Sequence, residues 1–307
     1  MASKQTTGPG HDRIDQDNTA PGPLEMDGLP MPRRIWAICA ISFGTALFVV
    51  DGAIANVALP TIARDLSVSN GAVTSVVTVY QLVMVMVLLP FATIGDRIGH
   101  RRLYQIGQVI FFLASTAALL IDSFWHLIAV RVLQSFGAGI ALSVSAAMLR
   151  TIYPAKSLGS GLGINSVIVA TAYAVAPTLG GFIVENLDWR WVFVAAAPLA
   201  LISLAIGRFL PEPEPRYGRV DTISGLWSAL TALLLIGGLT LATHDMIAPG
   251  LAAIVAGVMS AFLLTRRENG KERPILPVDL MRRPVIGLSV LAAVCAFVAS
   301  AMLIVAL

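Results

Sequence analysis

Charge is scarce in this sequence. Asp, Glu, Lys and Arg make up 13% of its 307 residues, against roughly a quarter in a soluble domain. That scarcity excludes a large water-facing surface and points to a chain solvated mostly by lipid. Cysteine is nearly absent. Cys39 and Cys295 both fall in apolar runs, and a disulfide framework needs exposed pairs in an oxidising compartment, so none is expected. The four histidines, His11, His100, His126 and His244, are scattered and show no metal-ligand spacing, so no metal site is expected. No nucleotide loop or nucleophile–base pair can be placed at one membrane face, which argues against an enzyme and against a cofactor. No secretory signal opens the chain, because the first apolar run, from about Ile35, is too long to be a cleavable segment.

What fills the sequence instead is apolar, with 56% hydrophobic residues. A membrane-spanning helix takes about 20 mostly apolar residues. Nine stretches qualify: 35–59, 72–92, 103–121, 125–149, 158–184, 191–210, 223–243, 248–265 and 285–307. The expected fold class is all-α integral membrane. Residues 1–32 are polar, rich in Gly, Pro, Asp and Thr, and read as a disordered tail. The gaps between spans are short and sort the charges. With the N-terminus in the cytoplasm, 18 of the 21 Lys and Arg residues fall in cytoplasmic segments, Arg64 and Arg190 fall outside, and Arg131 lies within a span. That asymmetry sets the orientation. It also supports the span count, since a missed or invented helix would scramble the sorting after it. The basic residues are thus topology signals, and no nucleic-acid partner is expected.

A few residues break the apolar pattern. Asp51 ends the stretch Leu47-Phe48-Val49-Val50-Asp51 inside the first span. A carboxylate there costs roughly 2.5–3.5 kcal/mol on insertion scales and usually marks an ion or proton path; the other reading is a structural Asp near the outer leaflet. Arg131 lies in the fourth span, about a turn and a half from its outer end. A guanidinium cannot shed its proton, so Arg131 either partners a carboxylate such as Asp51 or snorkels to the outer interface. Between spans two and three, Gly95 and Gly99 permit a tight turn. Asp96 can face the start of span three, and Arg97 and Arg101 can pair with charges on a neighbouring helix. A bland positive loop would explain the arginines but not the Gly-Asp-Arg-x-Gly spacing. In the fifth span Pro177 removes a backbone hydrogen bond and bends the helix. Gly180 and Gly181 after it suit either a hinge or a static kink. Gly159, Gly161 and Gly163 on the fifth span, and Gly137 and Gly139 on the fourth, offer close helix approach. Tyr80, Gln81, Gln134 and Asn165 are polar positions on spans that either line a cavity or hydrogen-bond helix to helix.

Together these residues resemble the major facilitator superfamily, and most of all its fourteen-span drug:proton antiporter branch of quaternary-ammonium and methyl-viologen efflux proteins. Asp51 with Asn56-Val57-Ala58-Leu59-Pro60 is similar to that branch's first-helix motif. Asp96-Arg97-x-Gly99 resembles the superfamily's loop signature, with Ala92 where Gly is usual and His100 where Arg is usual. Arg131-Val132-Leu133-Gln134 resembles the fourth-helix motif, with Ser135 in place of its Gly. Gly163, Ala172, Ala176, Pro177, Gly180 and Gly181 have the spacing of the fifth-helix antiporter motif, with two of its glycines replaced by Ala. Trp189-Arg190-Trp191-x-Phe193 resembles the start of the sixth helix, and Asp221-x-x-x-Gly225 the start of two inserted helices.

The resemblance, over about 35–307, implies a six-helix N-terminal bundle at 33–210 behind a cytoplasmic tail at 1–32. A linker with two inserted helices and a basic loop follows at 211–284, and 285–307 is the first helix of an incomplete C-terminal bundle. The resemblance further implies proton-coupled efflux of toxic compounds across a bacterial plasma (inner) membrane, with the N-terminus cytoplasmic. Asp51 would titrate, Arg131 would modulate it, and Gly95, Asp96, Arg97, Gly99 and Arg101 would gate the cytoplasmic side. The Pro177 helix would form part of a moving wall. Implied partners are small amphipathic cationic substrates, protons and membrane lipids. Alternating access needs two halves, so the chain as given reads as a fragment that does not transport alone. Two alternatives remain: a symporter for a metabolite or nutrient, and a non-transporting half of a split membrane assembly.

Overall fold

The computed structural model describes residues 28–211, 221–243, 246–269 and scattered helical positions between 286 and 295. All regular structure among the described residues is helical. The hydrocarbon interior offers no water to N–H and C=O groups, so a spanning segment must bond within itself. The chain runs through α1 (Arg33–Asp65), α2 (Asn70–Ile98), α3 (His100–Ala117), α4 (Phe124–Ile152) and α5 (Leu158–Asn186). A sixth span is split into α6 (Trp191–Val194) and α7 (Ala197–Ile206), and α8 (Thr222–Thr243) packs on α9 (Ile247–Glu268). Among the described residues eight segments are long and apolar enough to cross a membrane, corresponding to the first eight expected spans. The ninth, 285–307, lies outside the described residues apart from those scattered positions.

Local chemistry sets the helix limits. Ser69 Oγ accepts the Ala72 N–H at 3.2 Å and starts α2; Ser123 Oγ accepts the His126 N–H at 3.3 Å and starts α4. Each satisfies a donor that has no partner inside the helix. Gly99 has φ of +105°, a conformation that suits glycine, and this single residue turns α2 into α3. The Gly95 carbonyl accepts the Gly99 N–H at 3.0 Å and so closes the last turn of α2. Gly95 is helical and buried, and a Cβ there would stand 2.5 Å from Val144 Cγ1, so close approach of α2 to α4 requires it. α5 continues through Pro177. The interrupted helix is the sixth span, where Pro198 has no N–H for the Val194 carbonyl and the chain turns through Ala195 and Ala196. Residues 28–32, expected in the tail, are bound: the Leu29 N–H donates to the Ile152 carbonyl at 3.1 Å, and Arg34 Nε donates to the Leu29 carbonyl at 2.7 Å.

α4 packs on α2 and α3, α1 packs on α5 and α7, and α8 lies against α2. α3 and α4 cross where two glycines meet. A Cβ at Gly137 would lie 2.6 Å from the Phe111 nitrogen, and one at Gly107 would lie 2.6 Å from the Gly137 carbonyl oxygen. The small residues of α5 divide between two faces. Ala172, Ala176 and Gly180 face α1, and Gly161 lies against the Tyr153 ring. Gly159, Gly163 and Gly181 meet nothing within 4 Å among the described residues, so the expected stack of small positions is only partly used. Large apolar side chains such as Leu226 (74% exposed) and Phe182 (62%) cover the outside, as lipid contact allows and water does not.

Among the described residues the core forms two apolar clusters. One, around Ile41, Tyr104 and Met148, lies toward the end that bears Gly99; the other, around Ile54, Leu127 and Phe193, lies toward the end that bears Trp189. Buried polar side chains lie between them, namely Asp51, Ser115, Arg131 and Gln134.

Candidate functional site

That polar layer ties five helices together. Asp51 on α1 and Arg131 on α4 both have fully buried side chains. Arg131 Nη1 donates to Asp51 Oδ2 at 2.8 Å and to Gln134 Oε1 at 3.1 Å. Gln134, three residues on, shares the Arg131 face of α4. Its Nε2 donates to Ser115 Oγ on α3 at 2.9 Å and to the Phe193 carbonyl at 3.1 Å. In an unbroken helix that carbonyl would accept the Ala197 N–H, and the α6–α7 break frees it for Gln134. The Arg131 guanidinium carbon lies 4.1 Å from the Tyr80 ring centroid, on α2, and 5.3 Å from that of Phe193. A desolvated cation gains about 2 kcal/mol from such faces. Arg131 therefore does not snorkel, and Asp51 is its partner.

The pair is incompletely bonded. Asp51 Oδ1 and Arg131 Nε and Nη2 have no hydrogen bond among the described residues. Tyr80 is close enough to interact electrostatically with Asp51, yet its hydroxyl completes no hydrogen bond among the described residues. An ion pair joined through one nitrogen can exchange partners at lower cost than a saturated network.

Next to the pair is a cavity of about 250 Å³ whose polar lining is Thr45, Asn56, Tyr80, Gln81 and Tyr173. Tyr80 belongs to both, standing between the cavity and Arg131. Of the four residues considered for a cavity, Tyr80 and Gln81 line it. Gln134 instead bonds helix to helix, and Asn165 lies apart with a buried Oδ1 that has no partner among the described residues. Thr45 and Tyr173 were not singled out from sequence, since each is one polar tip in an apolar run, a pattern common on any span. Ser115 was missed for the same reason.

At the α2–α3 link, Asp96 Oδ1 lies 3.1 Å from His100 Nε2, so Asp96 engages the first residue of α3. Arg97 is exposed, and Arg101 is half-buried and engaged. On α5, Ala172, Ala176 and Gly180 lie at four-residue intervals toward α1, while Gly163, Pro177 and Gly181 lie on other faces. Among the described residues no three His, Cys, Asp or Glu side chains form a metal-holding group.

A multi-pass helical bundle with a buried ion pair beside a polar cavity is the architecture of a membrane transporter. The family model of the Major Facilitator Superfamily matches residues 41–307, and the chain belongs to that family. It is 41% identical over 288 residues to the uncharacterized transporter YebQ of Escherichia coli, covering 92% of this chain and 63% of that protein. It is 32% identical to the riboflavin transporter RibZ of Clostridioides difficile, over 60% of this chain and 40% of RibZ. It is 30% identical to the multidrug efflux pump LfrA of Mycolicibacterium smegmatis, over 82% of this chain and 51% of LfrA. The chain thus spans less than two thirds of the length of these relatives. A crystal structure of a D-xylose–proton symporter shares the fold, with a TM-score of 0.50 and 14% identity over 73% of this chain and 66% of that one.

Proposed function

We propose that the protein is a proton-coupled exporter of small amphipathic cations, of the fourteen-span drug:proton antiporter type, in a bacterial inner membrane. The Asp51–Arg131 pair carries this reading, being fully buried, joined through one guanidinium nitrogen, and separated from a polar cavity by the Tyr80 ring. Protonation of Asp51 removes its charge and releases Arg131. A cation entering the cavity favours the deprotonated carboxylate, and a proton on Asp51 weakens the hold on the cation. By linkage each ligand opposes the other, which is the requirement of antiport. Tyr80 and Tyr173 offer aromatic faces that suit a cation.

In the proposed topology the N-terminus and the tail ahead of the bundle are cytoplasmic. Residues 33–210 form the first bundle, 211–284 the linker with α8 and α9, and a second bundle begins near 285. Gly95, Asp96, Arg97, Gly99 and Arg101 gate the cytoplasmic side, and α5 slides on α1 along Ala172, Ala176 and Gly180. The efflux pump among the relatives supports export of toxic compounds. The riboflavin transporter favours a second reading, a metabolite carrier on the same fold.

Export of a fluorescent organic cation from cells that make the protein with both bundles tests the first reading. Export should stop when the proton gradient is collapsed. Export that survives the collapse would exclude proton coupling. Riboflavin movement without cation export would favour the second reading.

A further inference from the structure

A second cavity, of about 470 Å³, lies between α2, α4 and α8, and the export cycle above makes no use of it. α8 approaches α2 closely at Gly225, where a Cβ would sit 3.3 Å from Pro90 Cα. Around that point the groove walls are apolar, with Val83, Phe91 and Ile94 from α2, Phe136 from α4, and Leu226 and Ala229 from α8. Thr93 is the one polar side chain in the lining, and its hydroxyl already donates to the Pro90 carbonyl at 2.7 Å. Such a groove offers nothing to a sugar, a nucleotide or a hydrated ion.

The dimensions and the charge at one end narrow the occupant further. From Val83 to Ile94 the groove follows α2 for about 16 Å at 1.5 Å per residue, close to half of a hydrocarbon core of roughly 30 Å. It therefore runs one leaflet deep. Arg97 lies one turn beyond Ile94 on the same face of α2. It is exposed and has no hydrogen bond or ion pair among the described residues. The adjacent carboxylate, Asp96, is engaged by His100 at 3.1 Å. A free cation at the interface end of a dry groove one leaflet long complements an anionic headgroup on an acyl chain, and the cytoplasmic leaflet is the one rich in anionic lipid.

We propose that this groove holds an acyl chain of an anionic phospholipid from the leaflet at the α2–α3 link, with Arg97 taking its phosphate. The lipid fills the space on either side of the Gly225–Pro90 contact and helps to hold α8 against the bundle. This assignment uses the topology proposed above but not the export reaction, and its test does not measure transport.

The test is native mass spectrometry of the purified chain, offered phosphatidylglycerol and phosphatidylcholine in equal amounts. Both lipids carry a phosphate, but the choline of phosphatidylcholine offsets its charge, so the Arg97 cation predicts a preference of about fivefold for phosphatidylglycerol. Arg97→Gln should abolish the preference. Ala229→Phe, which fills the groove, should lower retention of both lipids, and Ala229→Leu serves if the larger side chain prevents folding. No preference in the unaltered chain, or one that survives Arg97→Gln, overturns the proposal. A preference that survives the filled groove overturns it too, because the lipid would then sit elsewhere or a protein segment would cover the groove.

Discussion

Arg131 and Asp51 join α4 to α1 through one fully buried ion pair. Removing one member of a buried ion pair leaves the other charge uncompensated and costs about 3–5 kcal/mol, whereas replacing both is often close to neutral. Arg131→Met alone should therefore lower thermal stability in detergent sharply, and the double variant Asp51→Asn/Arg131→Met should recover most of the loss. Additive losses would show that the pair contributes nothing as a pair. Both charges were legible in the sequence because each interrupts an apolar run. The support around them was not. Ser115 and Gln134 look like ordinary polar positions on spans. The Phe193 carbonyl is backbone and leaves no side-chain pattern; its one trace is Pro198, five residues later.

At the level of elements, glycines and prolines marked where helices meet or bend without showing which face or which helix. Gly163 and Gly181 read the same as Gly180 in sequence, yet only Gly180 approaches α1. Pro177 reads as the kink, but α5 packs on α1 through Ala176 and Gly180 on either side of it and continues as a helix. Pro198 interrupts its span because it has no N–H for the Val194 carbonyl, and Gln134 Nε2, from outside the helix, donates to the freed Phe193 carbonyl. The Gly107–Gly137 crossing of α3 and α4 has no room for a side chain. Gly137→Val should cost about 1–3 kcal/mol or more by overpacking, whereas Gly163→Val, with nothing within 4 Å among the described residues, should leave thermal stability nearly unchanged. Equal melting of the two variants would contradict the packing described here.

At the scale of the whole molecule, the eight described spans were legible because lipid imposes a minimum apolar length and short loops sort their charges. Burial along those spans was not legible. An apolar residue is equally at home against lipid or inside the bundle, so composition could not reveal that two apolar clusters flank a polar layer. On that layer rests the proposed competition between a substrate cation and a proton at Asp51. The most direct measurement is proton release from the purified protein in weakly buffered detergent on addition of a cation that it exports in cells, compared with Asp51→Asn. Acidification is expected with the unaltered protein and none with Asp51→Asn. Equal proton release from both would contradict that competition and move the coupling group to another residue.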